Sequence, residues 1–344
     1  MKKITSIVII FLLLNSCSQS LRFIGKHHSK EVTIYRDNWG VPHIYGKKDT
    51  DVTFGLAYAH AEDDLDNIVF SILASRGKLG EYFGKDLAPN DYLVQLFDLW
   101  GNLKKNYSEL DNETINICNA YADGINHYLL KNQPNNVPKE VYPVKGEDLI
   151  AGFMHKTPFF YGLNKVLSQV MADKYPQKTK MYSYFPDVYG ESMGSNVFAV
   201  SPTRSENGHT LFMSNTHPPW EGPTAWYETH LHSEEGWNTV GGLFPGSPVI
   251  LVGHNENLGW SHTVNNPDLI DVYELDLAKD NPLKYKVDGK WIELEEIPIS
   301  FKVKLLGPIK ITVNKKGYRS IFGPIFESVS GKKYAIRFQG MDDV

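Results

Sequence analysis

Gly194-Ser195-Asn196-Val197-Phe198-Ala199-Val200 is the stretch on which the reading of this chain turns. A serine preceded by glycine heads a strand-like run. The residues before it, 171 to 194, are irregular, polar and rich in Lys, Tyr and Pro, as an exposed connector would be. Such a serine suits a self-processing hydrolase. A cut between Gly194 and Ser195 would leave an α-amine on the same residue as the hydroxyl. An unperturbed α-amine titrates at about 7.7–8.0, so it can accept the hydroxyl proton near neutral pH without a separate histidine. In isolation Gly-Ser-Asn is also a common turn. A second serine competes, because Gly190-Glu191-Ser192-Met193-Gly194 matches the G-x-S-x-G nucleophile elbow of α/β-hydrolases. That motif needs a buried strand before it and a helix after it. Here Pro186 interrupts the preceding residues and the following ones are strand-like.

Working outward, the two sides of Ser195 differ in character. Before it, Val32 to Arg36 alternates as a strand, Asp37-Asn38-Trp39-Gly40 reads as a turn, and Val41 to Tyr45 reads as a second short strand. Helical periodicity follows from Asp51 to about Ser75, where Val52, Leu56, Ala59, Leu65, Ile68 and Ile72 are spaced for one buried face. Asp111 to Asn132 reads as a helix with Asp111 as N-cap, and Gly146 to Val170 as a third. After Ser195 short β runs bounded by Gly, Pro and Asn take over: Asn196 to Val200, Leu211 to Ser214, Ala225 to His232, Val249 to Gly253 and Leu258 to Val264. A helical half followed by a β-rich half predicts an α+β fold.

The 344 residues are 42% hydrophobic and 22% charged, with a formal net charge of -5 and both signs mixed along the chain. That is a globular composition without the clustered basic stripe of a nucleic-acid binder, so no nucleic-acid partner is expected. Lys2 and Lys3 precede an apolar core, Ile4 to Leu14, too short to span a bilayer, which reads as a signal peptide over 1–16. Leu14-Asn15-Ser16-Cys17 resembles a bacterial lipobox, so Cys17 is the expected lipid attachment site, followed by a tether over 17–31. The expected location is the cell envelope or periplasm, with membrane contact only through the lipid. The other cysteine, Cys118, falls on the apolar stripe Ile115, Cys118, Tyr121, Ile125, Tyr128 and reads as a small core residue rather than a nucleophile. His230 and His232 share one face of a strand without an evident third ligand, and no HExxH occurs, so zinc is not expected.

Several separated motifs together resemble the penicillin acylase family of N-terminal-nucleophile hydrolases. They are Ser195-Asn196 with Ala199-Val200, Asn207-Gly208, Ser214-Asn215-Thr216-His217, Leu243-Phe244-Pro245-Gly246, Gly253-His254-Asn255 and Gly259-Trp260-Ser261-His262-Thr263-Val264. Upstream, Arg36-Asp37, Gly40-Val41-Pro42-His43-Ile44, Gly55, Tyr58, Ala59, Ala61, Asp63 and Arg76-Gly77 agree. The likeness runs from about residue 32 to the end. It is strongest to the acyl-homoserine-lactone and aculeacin-type acylases, with Lys286 to Lys290 and Ile321-Phe322-Gly323-Pro324 contributing.

The resemblance implies a four-layer αββα fold and a cut at Gly194–Ser195. Residues 32–170 would form the helical α-chain region, 171–194 a spacer and 195–344 the start of the β-chain, giving an α/β-chain heterodimer. It implies Ser195 as nucleophile, His217 as the residue that positions it, and the Val264 N–H as an oxyanion donor. The substrate would be a small N-acyl amide, of penicillin, acyl-homoserine-lactone or lipopeptide type, with roles in antibiotic metabolism or quorum quenching, and no cofactor is required. Asp268-Leu269-Ile270-Asp271 resembles the Asp-x-x-Asp that contributes calcium ligands, so Asp268, Ile270 and Asp271 are the implied sites of a structural calcium, whose hard charge suits oxygen ligands. Two departures stand out. Pro218 follows His217 where long-chain acylases carry an aromatic pocket residue. The family's second oxyanion donor, an Asn, and a nearby Arg have no counterpart, so the expectation is a precursor fragment, or a natural truncation, lacking the C-terminal part of the fold. The rival readings are an inactive acylase-like envelope lipoprotein and a Ser192 hydrolase.

Overall fold

The computed structural model describes residues 28–175, 194–263 and 267–344; Cys17, Ser192 and Val264 lie outside these ranges. Its helices are α1 (Asp49–Ser75), α2 (Leu79–Phe83), α3 (Ala88–Leu96), α4 (Leu99–Asn106), α5 (Asn112–Asn132), α6 (Gly146–Phe160) and α7 (Leu163–Met171). Of the described residues, one unit takes 28–72, 111–149 and 195–263, and a second takes 73–110, 150–175, 194 and 267–344.

The first unit is built on a six-stranded sheet and a separate hairpin. Its strands are β1 (Val32–Arg36), β2 (Pro42–Gly46), β3 (Ser195–Val200), β4 (Leu211–Thr216), β5 (Tyr227–Ser233), β6 (Asn238–Leu243), β7 (Val252–His254) and β8 (Gly259–Trp260). The sheet runs β1-β2-β5-β6-β7-β8, and β3-β4 pair with each other. Asp37 makes the first turn, its Oδ1 accepting the N–H groups of Trp39 at 2.8 Å and Val41 at 2.9 Å. β2 then lies parallel to β5, with His43 opposite His230 and Gly46 opposite Ser233. Alternation places Ile44 and Leu231, both buried, on the face toward α1, where Gly55 backs directly onto Val32 and Ile44. Helix α5 packs on α1, with Gly124 against the Phe54 carbonyl and Ala57. Asp111 caps α5 by accepting from the Thr114 N–H at 2.7 Å, as its place before the apolar stripe implies. Cys118 is buried there, and burial pushes its thiol up to about 11, so it is inert as a nucleophile.

Helix α1 departs from an unbroken reading of 51–75. It kinks at Asp64, whose φ of -144° and ψ of 45° are non-helical. The side chains of Glu62 and Asp63, just before the kink, are held by residues of β1 and β5 as described below.

The second unit carries β9 (Ile270–Glu274), β10 (Leu277–Ala278), β11 (Asn281–Val287), β12 (Lys290–Glu293), β13 (Glu295–Leu306), β14 (Ile309–Ser320), β15 (Gly323–Glu327) and β16 (Lys333–Phe338). They form an antiparallel sheet ordered β13-β14-β15-β16-β9 and a small sheet β10-β11-β12. Leu96, Phe97, Phe159, Leu163, Leu167 and Val170 from the helices pack with Ile270, Ile299, Phe326, Ile336 and Phe338 from the strands. Each fully buried aliphatic side chain of this set contributes roughly 1.5–3 kcal/mol of transfer free energy. The single helix expected over 146–170 is two. Gly162, at a φ of +86°, ends α6 in a left-handed turn and restarts the chain as α7. The break lets Phe159 and Leu163 both reach one core. On the edge strand β13, the Gln95 amide bonds the backbone N–H and C=O of Ser300, each at 3.0 Å, and so occupies edge groups that would otherwise pair elsewhere.

A buried polar chain joins α2, α3 and α6. Asp91 accepts from the N–H groups of Leu79 and Gly80, both at 2.8 Å, and Asn90 donates to Asp91 at 3.2 Å and to the Ala74 carbonyl at 2.9 Å. The His155 Nε2–H donates to Asn90 Oδ1 at 2.7 Å. Burial, with the Lys156 charge, pushes the His155 imidazole down to about 4, so it folds neutral. A histidine of ordinary pKa, about 6.5 in the unfolded chain, binds a proton that the folded one refuses. Stability should therefore hold above pH 6.5 and fall as pH drops toward 4. Melting temperatures across that window test this. His155→Gln, which keeps the donor without the titration, should flatten the slope.

Candidate active site

Ser195 opens β3 and stands opposite Thr216, with Asn196 opposite Asn215 and Val200 opposite Leu211 at the far end. His217 follows Thr216 directly, so it lies at the same end of the hairpin as Ser195. The Asn196 amide donates to His217 Nε2 at 3.5 Å, a long hydrogen bond. The structure thus brings two of the three expected catalytic residues, Ser195 and His217, to one place. The third, Val264, falls outside the described residues, as does Ser192.

The hairpin rests on β8. Gly259 lies against the Phe212 ring so closely that a Cβ there would sit 2.9 Å from Phe212 Cδ1. Ser214 Oγ and Ser261 Oγ are 2.6 Å apart. The glycine of Gly259-Trp260-Ser261 is therefore needed for close approach, and it seats the strand next to the one that begins with Ser195. Further along the sheet, Trp226 stacks on Phe244 at 4.3 Å and covers Gly242, which places the Leu243-Phe244-Pro245-Gly246 segment.

Residues quoted only as motif members turn out to form the framework of this unit. Arg36 Nη1 donates to Asp63 Oδ2 at 2.8 Å and to the Gly40 carbonyl at 2.9 Å, and Nη2 donates to Glu62 at 2.8 Å. Burial opposes the charge on Arg36, but the bonds to Glu62 and Asp63 outweigh it and raise its pKa. The Tyr227 hydroxyl donates to the same Asp63 Oδ2 at 2.6 Å. Burial, then the Asp63 bond, raises the Tyr227 pKa and keeps it a donor. His60 stacks on Tyr227 at 4.0 Å and meets the Tyr121 hydroxyl at 3.0 Å. Tyr227 and Glu62 carry no periodic signal, and only their approach to Arg36 in space reveals them.

The exposed face of the sheet places His43 beside His230, Nδ1 to Nδ1 at 3.1 Å, with His230 Nε2 3.0 Å from Asn238 Oδ1. If His230 Nε2–H donates to Asn238, its Nδ1 accepts from the Nδ1–H of His43. Among the described residues no three His, Cys, Asp or Glu side chains form a group that could hold a metal ion. Asp268 and Asp271 are exposed, and Ile270 is buried at the start of β9. Burial raises the Tyr175 pKa, and the charges of Asp268 and Asp271 raise it further.

The penicillin amidase family model matches residues 31–343, and the chain belongs to that family. It is 26% identical over 317 residues to the acyl-homoserine lactone acylase PvdQ of Pseudomonas fluorescens strain Pf0-1, a match covering 86% of this chain and 41% of that protein. The corresponding protein of Pseudomonas putida is 27% identical over 311 residues, covering 84% of this chain and 40% of the relative. The aculeacin-A acylase of Actinoplanes utahensis is 24% identical over 292 residues, covering 75% and 36%. The chain therefore spans about two fifths of the length of these relatives. Among solved structures, a thermostable penicillin G acylase from Alcaligenes faecalis aligns over 41% of this chain and 25% of its own, at 22% identity and a TM-score of 0.36.

The contact of Gly259 with Phe212 makes a specific prediction. Gly259→Val should displace the Phe212 ring and cost about 1–3 kcal/mol through overpacking. It should also loosen the 195–217 hairpin, seen as faster nicking there by limited proteolysis read with mass spectrometry.

Proposed function

We propose that the chain carries the nucleophile of a self-processing amide hydrolase, an acylase that cleaves the linear amide of a small N-acylated molecule. The observation that carries this reading is Ser195 at the head of β3, at the same hairpin end as His217, in a chain of the penicillin amidase family. The names of its relatives, acylases of acyl-homoserine lactones and of aculeacin A, support an N-acyl amide as substrate.

In this reading a cut at Gly194–Ser195 frees the α-amine of Ser195. The amine takes the Oγ proton as Oγ attacks the amide carbonyl carbon. The oxyanion is met by the Val264 N–H, a donor of a kind typically worth about 3–4 kcal/mol in the transition state. The resulting ammonium protonates the leaving amine as the C–N bond breaks, leaving an ester on Ser195. The amine then deprotonates a water, which releases the acid and restores Oγ–H. His217, held by Asn196, positions the N-terminal serine. None of these steps calls for a cofactor.

The wider proposals follow from the same reading. The six-stranded sheet, helix-covered on the face of Ile44 and Leu231, would be one of two central layers of an αββα fold. The two chains produced by the cut would remain a heterodimer. Asp268, Ile270 and Asp271 would line a structural calcium site. Cys17 would carry the lipid of an exported, envelope-anchored precursor.

Processing tests the mechanism directly. The precursor should yield a downstream fragment that begins Ser-Asn-Val-Phe, Ser195→Ala should stay uncut, and Ser192→Ala should be processed normally. N-terminal sequencing of the fragment decides it, since a start at any other residue removes Ser195 from the role.

A further inference from the structure

The hairpin β13–β14 runs beside α2, whose Glu81 and Tyr82 meet Lys310 near the end of the ladder. Its two long strands pair from Glu295 opposite Arg319 to Leu306 opposite Ile309, closing on Gly307-Pro308. Near the base, Ile299 is buried in the core of the second unit. The same apolar alternation continues outward through Phe301, which still packs against that core, and the buried Val303, to Val313 and the exposed Ile311 and Ile309. At the tip Leu305 is 56% exposed, Leu306 78% and Ile309 58%. Phe83, at the end of α2, adds a ring that is 53% exposed, and the neighbouring Gly84 faces the Lys304 carbonyl.

Charge around this tip is one-sided. Residues 301–316 contain five lysines and no Asp or Glu, in a chain whose formal net charge is -5. Three of them, Lys302, Lys304 and Lys310, form a collar just behind the apolar residues, with Lys304 opposite Lys310. Glu81 is the carboxylate that meets the collar, 3.0 Å from Lys310 and 3.8 Å from Lys302. Lys310 also lies over the Tyr82 ring at 4.2 Å. Lys85 and Asp86 beside Phe83 cancel each other. One carboxylate against three amines leaves the collar cationic.

We infer that the tip of this hairpin docks on a membrane surface carrying anionic phospholipid. The apolar tip is short and convex, the shape that enters the boundary between headgroups and acyl chains. Lysines set back from it have long stems that let their amines reach the phosphates while the tip is inserted. Each such amine near an anionic surface adds to the attraction. A protein partner fits less well, since protein interfaces deplete lysine and need a larger area than a hairpin tip offers. This contact is distinct from the lipid expected at Cys17 and does not depend on the acylase reading.

The test is flotation of the chain from Ser18 onward, which lacks both leader and lipid site, with phosphatidylcholine vesicles made with or without phosphatidylglycerol. The parent should float with the anionic vesicles at low salt and lose about tenfold or more of its binding at roughly 0.5 M salt. Leu306→Asp with Ile309→Asp should reduce binding about tenfold or more, with melting temperature and circular dichroism unchanged. Lys302→Glu with Lys304→Glu should reduce it at low salt while leaving the apolar tip intact. The inference is overturned if the parent does not float, if the tip variant floats equally well, or if the tip drives self-association in sedimentation without vesicle binding.

Discussion

A single carboxylate oxygen, Asp63 Oδ2, receives both the guanidinium of Arg36 and the hydroxyl of Tyr227, at 2.8 and 2.6 Å. Arg36 ends the first strand of the chain, and Tyr227 begins the strand that lies parallel to the second. One atom on a helix therefore holds the ends of strands that the sequence keeps far apart. Charge-assisted bonds of this kind contribute about 1.5–3 kcal/mol each, less here because Arg36, Glu62 and Asp63 are partly exposed. Their geometric effect is larger than their energy. With Arg36 forked between Glu62 and Asp63, the helix kinks at Asp64, and His60 is presented flat against the Tyr227 ring. Tyr121 then ties the second helix of the unit to the same histidine.

Much of the local structure was legible because it follows from short-range chemistry. The Asp37 turn, the Asp111 cap and the apolar stripe through Cys118 and Tyr121 each depend on residues within a few positions of one another. The strand beginning at Ser195 was legible for the same reason. Other features were not, because their causes are distant. β6, with its Gly241-Gly242 pair, lacks strand propensity and exists because β5 and β7 flank it and Trp226 covers Gly242. The division of the third helix at Gly162 reflects where two helices must turn to share a core. At the candidate site, the order of Ser195, Asn196 and His217 could be read from motifs. The hairpin that aligns them could not, and neither could the support that Gly259 gives it through Phe212.

The site and the framework are made from different kinds of residue. Ser195 and His217 sit at the same end of a two-stranded hairpin. The hairpin gains its position from Phe212 and Ser214 against β8, and β8 belongs to the same sheet that Asp63 helps to assemble. The position of Ser195 thus depends on packing that runs back through β8 to the sheet that carries the Asp63 cluster.

The parallel pairing of β2 with β5 has a bearing on when this chain can fold. His43 and His230 are 187 positions apart, and closing a flexible loop of that length costs on the order of 5 kcal/mol before any contact repays it. During synthesis the hairpin of β1 and β2 waits with an open edge until β5 has been made. Everything from Ser195 to Ser233 must be joined to the N-terminal strands at that moment, because chain connectivity supplies the effective concentration. In the closed ladder β2 and β5 lie on opposite sides of residues 176–193 in the sequence, so the parallel pairing joins the part of the chain before that stretch to the part after it.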